Sequence, residues 1–566
     1  MKSKHISLGI NLSHDASAAV CMDGKPVIAI ASERLCRLKH GFPPVKRYHL
    51  ELPWDAICYC LDAAGVGIDD CHRIVLNKAG GDWDWSLENL KKTIPVLDKD
   101  KIVCLATHHY AHALFSYLSS GLEECLVLVA DRFGSFIPGL GIESETGYIV
   151  NNGRFKKLFS NTVALPATPF GNFVTEHSLT ALYQAVTLHY GFFNGMDECG
   201  KTMGLAAYGK KLFPEQHWIK LKEDFSLDCS NFYEFLTAKG IIETGEIEPV
   251  SFSVQNIARV RRKDYRKVSP DIACQAQFEV EETVKQIINR MVESNGLRTL
   301  CLCGGLFHNS VLNSKLLVLP SIQNLFVPLA PSDDGNAIGC AYYGCLLDSV
   351  PCQPLPGAFL GRNYSVEEME GSLKSFSLIY EKPAQNILLN KTVTALEKGD
   401  VVGWFQGGSE FGFRALGHRS ILADPRDPGI RDFINHYVKY REKFRPLGAM
   451  VLEEQASEWF GLSQPSPYMN LVASSLRGSV VPAVTHVDGT SRVQTVNRND
   501  GITYKLLQEF YRRTGVPLLL NTSFNVKGEP IIETPTEAVR GLITMNIDTL
   551  VMGPCLVFKG EKNKTW

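Results

Sequence analysis

HISLGINLSHDASAAVCMDGKPVIAIASE, residues 5–33, reads as three strands. HISLGIN (5–11) and ASAAVC (16–21) are apolar runs on either side of a polar loop that holds His14 and Asp15, and PVIAIASE (26–33) follows a turn at Asp23-Gly24. An Asp-Gly pair between apolar runs is a strong short-range signal for a hairpin. The pattern returns at CLVLVAD (125–131), GLGIES (139–144) and TGYIV (146–150), with a turn at Asn152-Gly153 before RFKKLF. Two copies of strand, polar loop, strand, tight turn, strand predict a duplicated core with one polar cleft shared between its halves. RTLCLCGGLFHNSVLNSKLL (298–317) and NLFVPLAPSDDGNAIGCAYYGCLL (324–347) then each run from an apolar strand through a loop into a helix. Strands alternating with helices indicate an α/β core, whose ligands sit beyond the strand ends.

SVPCQPLPGAFLG (349–361), with three prolines and two glycines, reads as a linker. It predicts a first domain over 1–350 and a second α/β domain over 351–566. A chain of 566 residues with 45% hydrophobic residues has ample core, which excludes disorder and fibrous repeats. The 58 Lys+Arg against 60 Asp+Glu leave a formal charge of −2, so nothing drives the whole chain toward polyanions and no nucleic-acid partner is expected. No stretch approaches the roughly 18 apolar residues of a membrane span, and the apolar run after Lys2 and Lys4 is too short for a secretory signal. The sixteen cysteines include two C-x-C pairs and no C-x-x-C, a pattern of reduced core residues in a cytoplasmic protein.

Three groups of residues carry chemistry. In THHYAHA (107–113), His108 and His112 stand four apart and share one face of a helix, the way one helix offers two imidazoles to a metal. Asp131 ends an apolar strand and Asp333 precedes a helix that Gly335 opens, so both acids converge on the same cleft. Two imidazoles and two carboxylates suit Fe(II), Mn(II) or Zn(II) rather than Mg(II). The second group is Gly304-Gly305 with Asn309 and Asn313, and Gly335 to Gly339, turns where backbone amides can approach phosphate. The third is SEFGFRALGHRSILADPRDPGIRDFINHYVKYREKFR (409–445), with six Arg, two Lys and five acids. A salt-bridged solvated helix is one reading of 431–445, whereas Arg414, Arg419 and Arg426 lie among Gly, Pro and Ser, where guanidinium forks suit a phosphate or carboxyl phosphate. Arg492 in THVDGTSRVQTV, and Asn521, Ser523 and Asn525 in LLLNTSFNVKGEP, extend this anion site.

Taken together and in order, GINLSHDASAAV, HHYAHA, GKTMGLAAYG, GGLFHN, PSDDGNAIG, FGFRALGHRSILADPR, REKFRP, THVDGTSRVQTV and LNTSFN closely resemble the ATP-dependent O-carbamoyltransferases of antibiotic and nodulation-factor biosynthesis. The resemblance implies an N-terminal actin/hexokinase-like (ASKHA) domain and a C-terminal domain similar to YrdC-type enzymes. The latter would make carbamoyladenylate and diphosphate from carbamoyl phosphate and ATP, with Mg. The former would pass the carbamoyl group to a hydroxyl of a small-molecule natural product. The resemblance further implies His108, His112, Asp131 and Asp333 as metal ligands, and His14 facing the acceptor, where it could serve as general base. Lys39, Gly204, Gly304, Gly305 and Asn309 would contact the nucleotide or adenylate, and Arg414, Lys439, Arg445, Arg492, Asn521, Ser523 and Asn525 would hold carbamoyl phosphate and ATP. A monomer or homodimer is expected. The family's D-G-x-G-E is here Asp131-Arg132-Phe133-Gly134-Ser135, and Cys199 stands beside the usual G-K, which touches acceptor geometry and metal affinity. Three other readings are an ASKHA-type kinase or ATPase, an RNA-modification factor and an inactive scaffold. The His pair and the arginines oppose the first, the balanced charge opposes the second, and the full set of ligands opposes the third.

Overall fold

The structure, a computed structural model, describes residues 4–41, 52–79, 99–132, 134–163, 178–194, 196–213, 215–242 and 263–560. It forms two compact units, one of Met1–Ser32 with His40–Pro356 and one of Glu33–Lys39 with Gly357–Trp566.

The first unit holds two sheets of matching topology. The first comprises β1 (Ile6–Leu12), β2 (Ser17–Met22), β3 (Lys25–Ala31), β4 (Arg73–Lys78) and β5 (Ile102–Cys104) in the order β3-β2-β1-β4-β5. The second comprises β6 (Glu124–Ala130), β7 (Phe136–Ile137), β8 (Gly141–Asn151), β9 (Arg154–Val163), β10 (Thr299–Cys303) and β11 (Asn324–Phe326). Leaving aside the short β7, its order is β9-β8-β6-β10-β11. In both sheets the first two pairings are antiparallel and the last two parallel. The two hairpins legible in the sequence are therefore corresponding parts of a duplicated, actin/hexokinase-like α/β core. Their turns use residues that tolerate positive φ: Asp23 at 48° with Gly24 at 78°, and Asn152 at 47° with Gly153 at 76°.

Five helices of this unit bear on the site: α1 (His108–Ser120), α2 (Cys199–Ala206), α3 (Asp271–Asn295), α4 (Ser310–Leu317) and α5 (Asn336–Leu347). α5 is apolar nearly all round and packs against β1, β2, β4 and α1. Gly9 makes that approach possible, because a Cβ there would stand 2.0 Å from the Ala337 carbonyl oxygen and 2.4 Å from the Ala341 nitrogen. Any side chain at position 9 would drive α5, and the Asp333 turn that leads into it, away from the sheet.

The second unit is built on one eight-stranded sheet: β12 (Val402–Phe405), β13 (Arg419–Ala423), β14 (Gly448–Leu452), β15 (Leu471–Ser474), β16 (Thr490–Val496), β17 (Leu518–Ser523), β18 (Thr549–Met552) and β19 (Cys555–Phe558). Their order is β15-β16-β14-β17-β13-β12-β18-β19, with parallel and antiparallel pairs mixed. A continuous core joins Trp404, Phe405, Phe510 and Phe524 to the aliphatic residues of β14 and β17.

One sequence expectation fails here. Residues 431–445 do not form a solvated helix. A short helix over Ile430–Phe433 passes into a π-helical turn at Ile434–Val438, and Tyr440 then takes a left-handed φ of 51°. The π turn re-aims the chain, so Lys439 is buried in the unit and does not lie on a surface face. All sixteen cysteines are free and ten of them are buried. Among the described residues no helix is long and apolar enough to cross a membrane.

Candidate functional site

In the first unit, local sequence places each donor. Thr107 caps α1 by accepting the Tyr110 N–H, so the helix starts at His108 and both His108 and His112 face inward, fully buried. Asp131 follows the last residue of β6, and Asp333 opens the turn before α5. The Nε2 atoms of His108 and His112 lie 3.1 Å apart, with the rings nearly perpendicular. Asp333 Oδ1 is 3.1 Å from the first and 3.4 Å from the second, and Asp131 Oδ2 is 3.7 and 3.9 Å away. One ligand atom from each of the four residues fits within 4.8 Å of the others.

The arrangement fits a divalent cation on its own chemistry. Asp333 Oδ2 is buried with no hydrogen-bond partner, a costly state for a carboxylate oxygen unless a positive charge compensates it. Burial alone would lower the His108 pKa, yet the carboxylates of Asp333 and Asp131 outweigh it and push the imidazole up to about 10. In the same way Asp15, Asp333 and Asp131 raise His14 to about 10 against its burial. Those imidazolium charges stand where a cation would otherwise balance the acids.

The support around the donors comes from residues expected in other roles or expected nowhere. The Gly305 N–H donates to Asp131 Oδ1 at 2.9 Å, so this amide of the glycine turn orients a carboxylate of the donor set. Gly304, at φ 97°, lets that turn pass where a Cβ would stand 2.2 Å from the Ala130 carbonyl oxygen. Asn77 Nδ2 is 3.0 Å from both His108 Nδ1 and Asn11 Oδ1. Asn77 gives no signal in the sequence, because a lone Asn closing a strand makes no pattern; its role emerges from the register that pairs Asn11 with Asn77. Ser135 accepts the His108 N–H at 2.8 Å and so caps the helix that carries both imidazoles. Phe133 lies outside the described residues. His109 faces away, 2.7 Å from the Thr146 hydroxyl.

His14 lies in the loop after β1, with 31% of its side chain exposed and Nδ1 3.5 Å from Asp333 Oδ2. Asn309 caps α4 by accepting the Leu312 N–H, and its amide exchanges hydrogen bonds with Gln277 of α3, so both of its polar atoms are engaged within the unit. Gly204 lies in α2, whose Met203 sulfur is 4.0 Å from the Ser310 hydroxyl.

In the second unit, Arg414, Lys439, Arg441, Arg445 and Arg492 gather from separate segments of chain. Burial lowers the proton affinities of Arg414, Arg441 and Lys439 far below their ordinary values, and the neighbouring cations lower them further. Arg492 is pushed down to about 10 by burial and by Arg445. The Nε atoms of Arg414 and Arg492 are buried without a hydrogen-bond partner. Guanidiniums stay charged in proteins, so this crowding of cations suits an anion. Lys39, grouped with this unit, is one of the charges that act on Lys439. Lys439 Nζ donates to Ser523 Oγ at 3.0 Å and to Asn525 Oδ1. Arg441, expected on a solvated helix, belongs to the cluster and is oriented by Asn435 Oδ1 at 2.7 Å.

Three residues expected at the anion site do other work. Arg419 is fully buried, donates to the carbonyl oxygens of Gln406, Gly407, His418 and Glu533, and lies 3.6 Å over the Phe405 ring. Arg426 forms a two-pronged pair with Asp424. Asn521 is fully buried and donates to the Ala415 carbonyl and to Gln494, which holds the Arg414 loop in place.

Comparison with known proteins agrees across the chain. The family description "Carbamoyltransferase N-terminus" matches residues 87–342 and "Carbamoyltransferase C-terminus" matches 393–559. The chain is 34% identical to nodulation protein NolNO of Sinorhizobium fredii, over 96% of this chain and 79% of that protein. It is 35% identical to nodulation protein NolO of Bradyrhizobium diazoefficiens, over 80% of this chain and 78% of that one. An uncharacterized Synechocystis protein, sll1178, is 31% identical over 95% and 94% of the two chains. With relatives of this identity and coverage, the chain belongs to the carbamoyltransferase family and is an enzyme of carbamoyl transfer.

Proposed function

We propose that the C-terminal unit activates carbamoyl phosphate with ATP to give carbamoyladenylate, and that the N-terminal unit transfers the carbamoyl group to a hydroxyl of a small-molecule natural product. Atom balance in the first step requires one water as a further reactant, and phosphate beside diphosphate as products; in the second, the acceptor oxygen bonds the carbamoyl carbon as that carbon's bond to the adenylate oxygen breaks, releasing AMP and the hydroxyl proton. The observation that carries the reading is the cation cluster. Carbamoyl phosphate is a dianion and ATP carries more charge still, so bringing them together needs several positive groups in a water-poor pocket. Arg414, Arg441, Arg445 and Arg492 supply them, and the unpartnered Nε atoms of Arg414 and Arg492 are donors for phosphate oxygens. Lys439 orders Ser523 and Asn525 on the same rim, where the hydroxyl and amide would fix the carbamoyl end.

In the N-terminal unit His108, His112, Asp131 and Asp333 would hold a divalent cation, with Fe(II), Mn(II) and Zn(II) matching the donor set. Such an ion supplies Lewis acidity toward a carbonyl or hydroxyl oxygen. Gly305 and Ser135 hold Asp131 and the start of α1 in place, and part-exposed His14 faces the side from which an acceptor enters.

The test follows diphosphate. Release of diphosphate from ATP should depend on carbamoyl phosphate, vanish in Arg445→Ala and survive in His108→Ala, which should instead lose carbamoyl transfer. ADP as the product would overturn the reading in favour of a kinase. Loss of both steps in His108→Ala would overturn the assignment of one step to each unit.

A further inference from the structure

A second donor group in the N-terminal unit has no part in the four-residue set. His14, Asp15 and His40 bring two imidazoles and one carboxylate together, with one ligand atom of each within 4.8 Å of the others. Asp15 divides its oxygens between the rings: Oδ1 is 2.7 Å from His40 Nδ1 and Oδ2 is 3.3 Å from His14 Nε2. All three side chains are partly exposed, whereas the four donors of the inner set are buried.

An independent observation links the two groups. Asp333 turns Oδ1 toward His108 and His112, while its buried Oδ2, which accepts no hydrogen bond, faces His14 Nδ1 at 3.5 Å. His14 therefore stands between Asp333 on one ring nitrogen and Asp15 on the other. A carboxylate on one ring nitrogen is the usual setting of a metal-bound histidine, and the other nitrogen of His14 is turned to Asp15, its partner in the proposed donor group.

We propose that His14, Asp15 and His40 form a second site for a divalent first-row cation, coupled to the inner site through the His14 ring and Asp333. Two imidazoles and one carboxylate leave open positions on such an ion, which oxygen ligands fill. The three donors are partly exposed, so water or the hydroxyl of a ligand can reach these positions. On the carbamoyl-transfer reading, on which this last step rests, that hydroxyl is the acceptor's. Its pKa would fall on the cation, and its proton would pass to solvent water. His14 then acts as a ligand of the second ion, and no free base is required of it.

The ion count tests the site without any turnover. The full chain, stripped with a chelator, is titrated with Mn(II), free ion being read by electron paramagnetic resonance and bound ion by elemental analysis. Two Mn(II) per chain are expected for the native sequence, and one for each of Asp15→Asn, His40→Ala and His108→Ala. A native chain that binds one ion or none would overturn the proposal. So would Asp15→Asn and His40→Ala variants that keep two ions, or that lose both while retaining native circular dichroism. Diphosphate release measured on the same preparations reports separately on the carbamoyl-transfer reading, so either can fail alone.

Discussion

In the N-terminal unit the donors hang from regular elements: two imidazoles one helical turn apart on α1, one acid at the end of β6 and one in the turn into α5. In the C-terminal unit the charged groups reach in from the loop before β13, from the chain beyond a π-helical turn, and from β16. The first gathers carboxylates and lone pairs, and the second gathers guanidiniums. Their backbones match what each would hold. A metal demands ligand atoms fixed to a fraction of an ångström, which helix and strand ends provide. An anion with several oxygens is met by long side chains converging from separate loops, where each fork can align with its own oxygen.

The sharpest way to break this contrast is to remove the acid that faces both donor groups. Asp333→Asn should weaken binding of the inner cation by about 3–5 kcal/mol, the usual cost of breaking a buried charged partnership, while leaving carbamoyl-phosphate-dependent diphosphate release intact. Equilibrium dialysis of Mn(II) with a parallel diphosphate assay reads both. Native metal affinity in the variant would show that Asp333 is not a ligand.

The C-terminal unit should instead respond to acid. His418 stacks on Phe359 with ring centroids 3.5 Å apart, and burial, helped by Arg419 and opposed by Glu410, pushes it down to about 4. A histidine whose pKa is depressed on folding binds its proton more tightly in the unfolded chain. Its contribution is therefore complete above the unfolded value and is lost as pH falls toward the folded one. Stability of this domain should drop by about 3 kcal/mol between roughly pH 6.5 and pH 4, because a tenfold change in proton affinity is worth about 1.4 kcal/mol. Urea titrations across that window should show the loss, and His418→Gln should remove the share due to His418 while leaving that of His486, which burial and Arg492 also push down to about 4.

The same contrast explains what the sequence could and could not convey. The two hairpins were legible because Asp-Gly and Asn-Gly turns between apolar runs have a single cheap conformation, and the matching of the two sheets follows from them. The pairing of His108 with His112 was legible because helical period is a property of the chain alone. Asn77 was hidden, since its neighbour Asn11 is sixty-six residues away and only strand register brings them together. The arginines are the hardest to sort. Arg419 and Arg414 sit five residues apart in similar company, yet one faces four backbone carbonyls and the other a cluster of cations. Nothing local distinguishes a guanidinium that satisfies carbonyls from one that awaits an anion. Arg441 is concealed for a different reason: its helical pattern continues past the point where the π turn diverts the backbone.

Arg441 gives the next prediction. Arg441→Ala should weaken carbamoyl phosphate binding by about 1.5–3 kcal/mol, the range for a hydrogen bond to a charged group, seen as a rise of roughly tenfold to a hundredfold in the KM for carbamoyl phosphate. Arg426→Ala, which removes a guanidinium already paired with Asp424, should leave that KM unchanged. Equal effects from the two would mean that the cluster acts through its summed field and not through individual contacts.

The smallest expected effect concerns Ser135. Its hydroxyl accepts the N–H of His108, one of the amides that α1 cannot satisfy internally. Ser135→Ala should cost about 1 kcal/mol of stability, as the loss of a helix cap does. Because the amide belongs to a ligand residue, the cation should also bind severalfold more weakly as the start of α1 loosens. Ser135→Glu would place a carboxylate beside the helix N-terminus and the donor set, so it should retain the cap and strengthen cation binding. Were Ser135→Glu to weaken the cation instead, the added carboxylate would not reach the donor set, and the hydroxyl's part would be capping alone.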